Sequence, residues 1–367
     1  MAMNLLQQTR AALTRLGDLN ATLSRPSRLS GLSGVSRLPK LGDLPKALTG
    51  ADWSDPMSLL AALKPGVPLC GMTMPGSAEA GPVVPDGARF DEHTYQGASG
   101  TLGYRLYVPS RAPGAPMPLV VMLHGCTQSP EDFAAGTRMN EIAEAEGLLV
   151  AYPRQTQRAN AQKCWNWFDA KDQKRDRGEP ALIAGLTREI IAAHAVDAAR
   201  IYVAGLSAGG AAAVIMAQLY PDLYAAAGVH SGLAAGAATD MPGAFTAMRG
   251  GGRAAPGRPV PTIVFHGDAD RTVHPSNGDQ VLHQGRSGQA DLVAAVTRGS
   301  SEGGIGYTRR VQSDAVGRPM LEHWVLHGVG HAWSGGSAAG SYTEPRGPDA
   351  SREMLRFFLE HRLGGAV

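Results

Sequence analysis

Cysteine is scarce in this chain, with three residues in 367. That is too few for a disulfide-dense scaffold, or for a four-cysteine metal site made by one chain. An excess of charge is also missing. Lys and Arg number 34 against 32 Asp and Glu, a net charge of +2. So small a surplus gives neither nucleic acid nor an anionic membrane surface a claim to be the main partner. No apolar run approaches the roughly 18–20 residues of a membrane span, so no spanning helix is expected. No Cys-x-x-Cys run appears, and no metal or cofactor is implied. The N-terminus lacks the apolar core of roughly 7–15 residues and the small-residue cleavage site of a secretory signal peptide. No internal repeat is visible, and no obligate protein partner is evident.

What remains is an ordinary apolar fraction of 43 % and enough strand-like runs for a sizeable core. Residues 1–80 stand apart. They are rich in Leu, Ser and Arg, poor in acids, and interrupted by Pro26, Pro39, Pro45, Pro56, Pro65 and Pro68. Leu5, Leu6, Leu13 and Leu16 can share one face of a short helix from Asn4 to Leu16, and the rest shows no sustained period. An irregular leader is the simpler reading, although an Arg- and Ser-rich, acid-poor start also resembles an organelle transit peptide.

Residues 81–367 read as one folded domain. Gly87 to Gln96 and Gly100 to Pro109 form an antiparallel hairpin across Gly97-Ala98-Ser99-Gly100. Pro118 to Leu123 is a short continuous apolar run, as for a strand buried on both faces. A helix is expected from Pro130 to Glu146, capped by Ser129. Strands at Leu148–Pro153, Ile201–Leu206, Tyr224–His230, Pro261–His266 and Arg318–His327 alternate with helices at Pro180–His194, Ala211–Leu219 and Pro348–Leu363. The pattern predicts βαβ units and a mainly parallel sheet with helices on both faces. Between Gly232 and Pro259, Met241, Phe245 and Met248 fall at near-helical spacing. They suit an ordinary crossover with one buried helix, or a cap over the site that supplies an acyl pocket.

The chemistry centres on Gly205-Leu206-Ser207-Ala208-Gly209, set between an apolar strand and a small-residue helix. This is the strand, sharp turn and helix of a nucleophile elbow. The turn strains Ser207 and lifts its hydroxyl above the sheet edge, and Gly205 and Gly209 stand where a Cβ would collide with a neighbour. A serine hydroxyl needs a base, and the base an orienting acid. In a parallel sheet both come from loops at the carboxyl ends of later strands. Asp268 and Asp270 compete for the acid role. Asp268 follows directly on the strand-end glycine and suits a turn cap, whereas Asp270 can reach a neighbouring loop. His331, in the glycine-flanked loop Gly328-Val329-Gly330, is preferred as base over His230, His266, His323 and His327. The oxyanion hole needs two fixed N–H donors, assigned to Ala208 and Cys126, with His124 as a buttress of the Cys126 loop.

These stretches carry a resemblance. Leu123-His124-Gly125-Cys126-Thr127-Gln128, Cys164-Trp165-Asn166-Trp167-Phe168, the elbow, His266-Gly267-Asp268-Ala269-Asp270 and Gly330-His331-Ala332-Trp333 together resemble the poly(3-hydroxybutyrate) depolymerase family of esterases. Related feruloyl and acetylxylan esterases share parts of the pattern. The resemblance spans Gly87 to Leu363 and implies an α/β-hydrolase fold, a Ser207–His331–Asp270 triad, and Cys126 and Ala208 as oxyanion donors. It implies a secreted or periplasmic location, while the lack of a recognisable signal peptide leaves a cytoplasmic one open. It also implies a disulfide between Cys126 and Cys164, which would add about 4 kcal/mol in the chain-entropy model. Two buried free thiols are the alternative, and Cys70 would be unpaired in either case. Trp165 and Trp333 are expected either to face substrate or to serve the core.

Two departures narrow the expectation. No polymer-binding module follows the closing helix before Val367, and no export signal is recognisable. Both favour short-chain esters, soluble oligomers or amorphous polymer. The expected activity is that of a serine carboxylesterase on hydroxyalkanoate esters or polyester. Feruloyl or acetylxylan esterase is the alternative. A silent hydrolase fold used for binding is disfavoured, because no triad member is missing.

Overall fold

The computed structural model describes residues 81–111, 114–289 and 291–364. The expected leader of residues 1–80, its short helix and Cys70 lie outside the described residues. The chain divides into two units, Met1–Pro75 and Gly76–Val367.

The chain enters as an antiparallel hairpin, β1 (Arg89–Gly97) and β2 (Gly100–Val108), closed over Ala98 and Ser99. Then come β3 (Met117–Leu123), β4 (Leu149–Pro153), β5 (Val196–Leu206), β6 (Ala226–His230) and β7 (Thr262–Gly267). The last long strands are β8 (Val293–Ser300), β9 (Gly306–Ser313) and β10 (Pro319–Leu326). They form one ten-stranded sheet in the order β1-β2-β4-β3-β5-β6-β7-β10-β9-β8. The inner run from β4 to β10 is parallel, and both ends are antiparallel.

Both faces are covered, and β3 shows how. All seven of its residues are buried. Leu119, Val121 and Leu123 join one core cluster with helix α3 (Gly178–Ala193) and helix α4 (Ala208–Leu219). Val120 and Met122 join the opposite cluster with α1 (Pro130–Thr137), α2 (Met139–Glu146) and α7 (Ala350–Leu359). Period-two alternation with no polar residue is what a doubly covered strand requires. Each fully buried Leu or Val contributes about 1.5–3 kcal/mol. On β10, buried Glu322 accepts from Arg309 of β9 at 2.8 Å and from Arg356 of α7 at 2.6 Å, joining strand, neighbour and helix.

Three expectations change. The single helix from Pro130 to Glu146 is two helices. Arg138 adopts φ 57° and ends α1 while opening α2. The Ser129 cap is present, its hydroxyl accepting from the Asp132 amide at 3.2 Å. The hairpin β8–β9 was not foreseen, because every residue of β8 is exposed and no apolar alternation marks it. In the stretch from Gly232 to Pro259, helix α5 (Met241–Gly250) buries Ala244 and Ala247, while Met241 and Phe245 face outward. A helix of equal length, α6 (Ser276–Gly285), precedes the β8–β9 hairpin.

Candidate active site

Strand β5 delivers the nucleophile position. Ser207, between β5 and α4, has φ 58° and ψ −119°, a conformation that costs an L-residue roughly 1–3 kcal/mol. The elbow is held by backbone on all sides. A Cβ on Gly209 would lie 2.0 Å from the Leu123 carbonyl oxygen, and one on Gly205 would lie 2.4 Å from Gly209 itself. The Ser207 amide donates to the His230 carbonyl at 2.9 Å, tying the turn to the end of β6.

The loops after β7 and β10 bring the acid and the base together. His331 Nδ1 lies 2.7 Å from Asp270 Oδ2. The other oxygen of Asp270 accepts from the amides of Thr272 at 2.8 Å and Val273 at 2.9 Å. Burial alone would raise the Asp270 carboxyl. Contacts to His266, His331 and the Val273 amide outweigh it and hold the group well below the usual carboxylate range. With Nδ1 committed to the carboxylate, the Nε2 of His331 is left for the cleft.

The competing residues have other occupations. Asp268 lies at the surface, where it meets His327 Nδ1 at 2.9 Å and the Gly328 amide at 2.7 Å. His327 and His331 are spaced four residues apart like a metal-binding pair on a helix, but here they sit in a loop and face different carboxylates. His230 is buried, and its Nε2 accepts from the Ser334 amide at 3.1 Å, which fastens the His331 loop to β6. Burial holds its charged form well below the usual histidine range. His323 is buried within β10 and lowered to about 4, burial being the main cause.

Between Gly125 and Gln128 the oxyanion loop accounts for each amide but one. The Gly125 amide donates to Gln128 Oε1 at 2.8 Å, the Thr127 amide to Gln162 at 2.6 Å, and the Gln128 amide to Gly125 at 3.4 Å. The Cys126 amide has no acceptor among the described residues. Ala208 opens α4, where first-turn amides lack intrahelical partners. Ser207 and His331 share a cleft of about 350 Å³ with Cys126, and Met248, Thr272 and Tyr342 are among the residues of its wall. Of the two readings of the Gly232–Pro259 stretch, Met248 is the part that reaches the site.

Cys126 and Cys164 are joined by a disulfide 38 residues apart in sequence. Beneath it lies a support that the motifs did not reveal. Gln155 donates to the Cys164 carbonyl at 3.1 Å and to Glu179 at 2.5 Å, and Glu179 accepts from the Asn166 amide at 2.8 Å. Glu179 is raised to about 7, first by burial and then by the nearby Asp172. His124 braces the same loop, since its Nε2 accepts from the Gln155 amide at 3.1 Å. It is lowered to about 4 by burial, against the opposing pull of the Gly125 carbonyl.

The tryptophans require a correction. Trp165 is fully buried and donates to the His124 carbonyl at 3.1 Å. Trp333 is equally buried, donates to Ser351 at 3.1 Å, and packs on Phe133 and His230. Neither lines the cleft, so neither presents an aromatic face to a substrate there. Large indoles next to the motif residues are used to pack the loops from beneath.

Comparison with known proteins adds a separate line. The family described as esterase PHB depolymerase matches residues 102–303, a span that includes Ser207 and Asp270 and ends before His331. Poly(3-hydroxyalkanoate) depolymerase C of Paucimonas lemoignei is 34 % identical over 252 residues, covering 63 % of this chain and 58 % of that protein. Feruloyl esterase B of Neurospora crassa is 28 % identical over 278 residues, 69 % of this chain and 86 % of that one. The chain therefore spans less than two thirds of the depolymerase it matches. Among solved structures, an acetyl xylan esterase from Aspergillus awamori superposes with a TM-score of 0.57 at 20 % identity, covering 74 % of this chain and 99 % of its own. That likeness concerns the fold, which is that of the α/β-hydrolases.

Proposed function

Since the chain belongs to the esterase PHB depolymerase family, we propose that it is a serine carboxylesterase acting on short-chain hydroxyalkanoate esters or polyester. The observation that carries the reading is the His331–Asp270 contact of 2.7 Å, made in a loop whose imidazole shares a cleft with strained Ser207. In the proposed reaction the Ser207 hydroxyl oxygen attacks the ester carbonyl carbon while His331 Nε2 takes its proton. The carbonyl oxygen becomes an oxyanion facing the amides of Cys126 and Ala208. The tetrahedral adduct collapses, the C–O bond to the alcohol breaks, and His331 returns the proton to the leaving oxygen. Water then attacks the acyl-enzyme with His331 again as base, releasing the acid and restoring Ser207. Asp270 keeps Nδ1 protonated throughout and stabilises the imidazolium.

A feruloyl or acetylxylan ester is the second reading. The observation in its favour is the match to a feruloyl esterase over 86 % of that protein's length. A Cys126–Cys164 bridge suits an oxidising compartment, and we place the enzyme outside the cytoplasm. Among the described residues no helix is long and apolar enough to cross a membrane.

Hydrolysis of p-nitrophenyl butyrate by purified Ser207→Ala tests the proposal. Loss of at least ~1,000-fold in kcat is expected, and parental activity in the variant would end the reading. Release of 3-hydroxybutyrate, ferulate and acetate from matched substrates then separates the two ester classes.

A further inference from the structure

His266 stands behind the acid of the triad, and we propose that it is a positioning residue for Asp270. The inference rests on the triad reading above. His266, next to last in β7, is 1 % exposed. Its Nε2 lies 2.9 Å from the Val273 carbonyl oxygen and 3.4 Å from Asp270 Oδ2. Both neighbours are acceptors and neither can donate. A bare nitrogen would set lone pair against lone pair, so Nε2 carries the hydrogen. The hydrogen bond goes to the Val273 carbonyl, and Asp270 Oδ2, at 3.4 Å, meets the same N–H as an electrostatic contact.

The turn from Asp270 to Val273 is thereby closed at both ends. Asp270 Oδ1 takes the amides of Thr272 and Val273, and His266 takes the carbonyl of Val273. Oδ2 is left between His331 at 2.7 Å and His266 at 3.4 Å. Rotating the carboxylate away from His331 would break contacts on both oxygens. Asp270 is held in the orientation that keeps His331 in register with the cleft.

The far side of the imidazole fixes the tautomer. His266 Nδ1 is buried and has no hydrogen-bond partner among the described residues, and the same is true of His323 Nε2. A Cβ on Gly278 would lie 3.1 Å from the first and 3.3 Å from the second. The two nitrogens therefore face the same space, a second cleft of about 200 Å³ that His266 and His323 both line. Asp279 and Thr308 also line that cleft, but neither is a hydrogen-bond partner of His266 Nδ1, so neither draws the hydrogen away from Nε2. A glycine at position 278 keeps the rear of His266 clear, and the ring can seat fully against the Asp270 turn.

The test has two arms on the full chain. In wild-type protein labelled with 15N-histidine, two-bond 1H–15N correlations report the tautomer of each ring, and His266→Gln assigns the His266 signals by their disappearance. Hydrogen on Nε2 is expected, and hydrogen on Nδ1 overturns the proposal. In kinetics, His266→Phe should lower kcat by about tenfold or more with KM within about twofold. His266→Gln, whose amide N–H can take the Nε2 place, should recover kcat to within about threefold of the parent. Equal losses in both variants, a loss expressed in KM, or no loss in His266→Phe would each overturn it. If His266→Phe does not fold, the tautomer and His266→Gln decide. Fluorophosphonate labelling of Ser207 in the wild type is read separately. Its absence would remove the triad reading whatever the tautomer of His266.

Discussion

The imidazole of His327 meets the carboxylate of Asp268 at 2.9 Å, Nδ1 to Oδ2, and so repeats at the surface the contact that His331 makes with Asp270 at 2.7 Å within the site. The two pairs come from the same two loops and differ in what surrounds them. Asp268 and His327 are nearly half exposed, while the Asp270 side chain is fully enclosed. Asp270→Asn should lower kcat by roughly 10,000-fold by placing the wrong tautomer on His331. Asp268→Asn should leave kcat within about threefold and cost less than ~1 kcal/mol of stability, as exposed ion pairs do. Steady-state kinetics and urea unfolding of both variants check the contrast.

Thiol chemistry bears on the oxyanion loop. Under denaturing, non-reducing conditions one of the three cysteines, Cys70, should react with a thiol reagent. Reaction of all three would exclude the bridge. The double change Cys126→Ser with Cys164→Ser should cost up to about 4 kcal/mol and lower kcat more than it raises KM, because the Cys126 amide is no longer held in place.

The buried Glu179 gives a pH dependence with a definite sign. Its folded value of about 7 stands above the ordinary 4.5. Between these the folded protein holds a proton that the unfolded chain has released. Stability is therefore fully present below the unfolded value and lost as pH rises through 7. The contribution is about 3 kcal/mol. Urea unfolding at pH 5 and pH 8 should show wild type losing about that much more than Glu179→Gln, and equal losses would refute the assignment.

Two glycines near the site should respond oppositely to alanine. Gly209→Ala places a methyl 2.0 Å from a backbone oxygen, whereas nothing lies within 4 Å of one at Gly330. The first variant should lose more than ~4 kcal/mol or fail to fold, and the second should stay within about 1 kcal/mol of the parent. Thermal unfolding of both separates them.

Met248 reaches the cleft from α5. Met248→Ala should move the preferred p-nitrophenyl ester toward longer acyl chains, with a change of about 10-fold in relative kcat/KM between butyrate and octanoate. An unchanged chain-length profile would show that Met248 does not face the acyl group.

Much of this arrangement is legible in the sequence, for chemical reasons. A strained serine between two strands' worth of close backbone demands glycine at 205 and 209. A base and an acid for it must follow at later strand ends, where His331 and Asp270 stand. The parallel strands announced themselves because burial on both faces leaves uninterrupted apolar runs such as Met117–Leu123. What escaped lies where local sequence carries no such constraint. The β8–β9 hairpin has no apolar face, since even Val293 and Val296 of β8 are exposed, so no alternation marked it. Arg138 breaks a helix from the left-handed region without the glycine that would have signalled it. Trp165 and Trp333 sit in the motifs, but position along the chain does not tell which way a ring faces. Gln155 and Glu179 act from outside every motif, and only folding brings them under the disulfide.

The atoms around the elbow glycines are backbone, and that closes off routes by which the sequence could drift. A Cβ at Gly205 or Gly209 would strike carbonyl groups of Leu123, His124 and Gly209. A smaller side chain elsewhere can make room against a side chain, but no substitution shortens a peptide group. A library selected for restored activity after Gly209→Ala should return only direct revertants. One begun from a change at Met248 should return second-site solutions from the cleft wall.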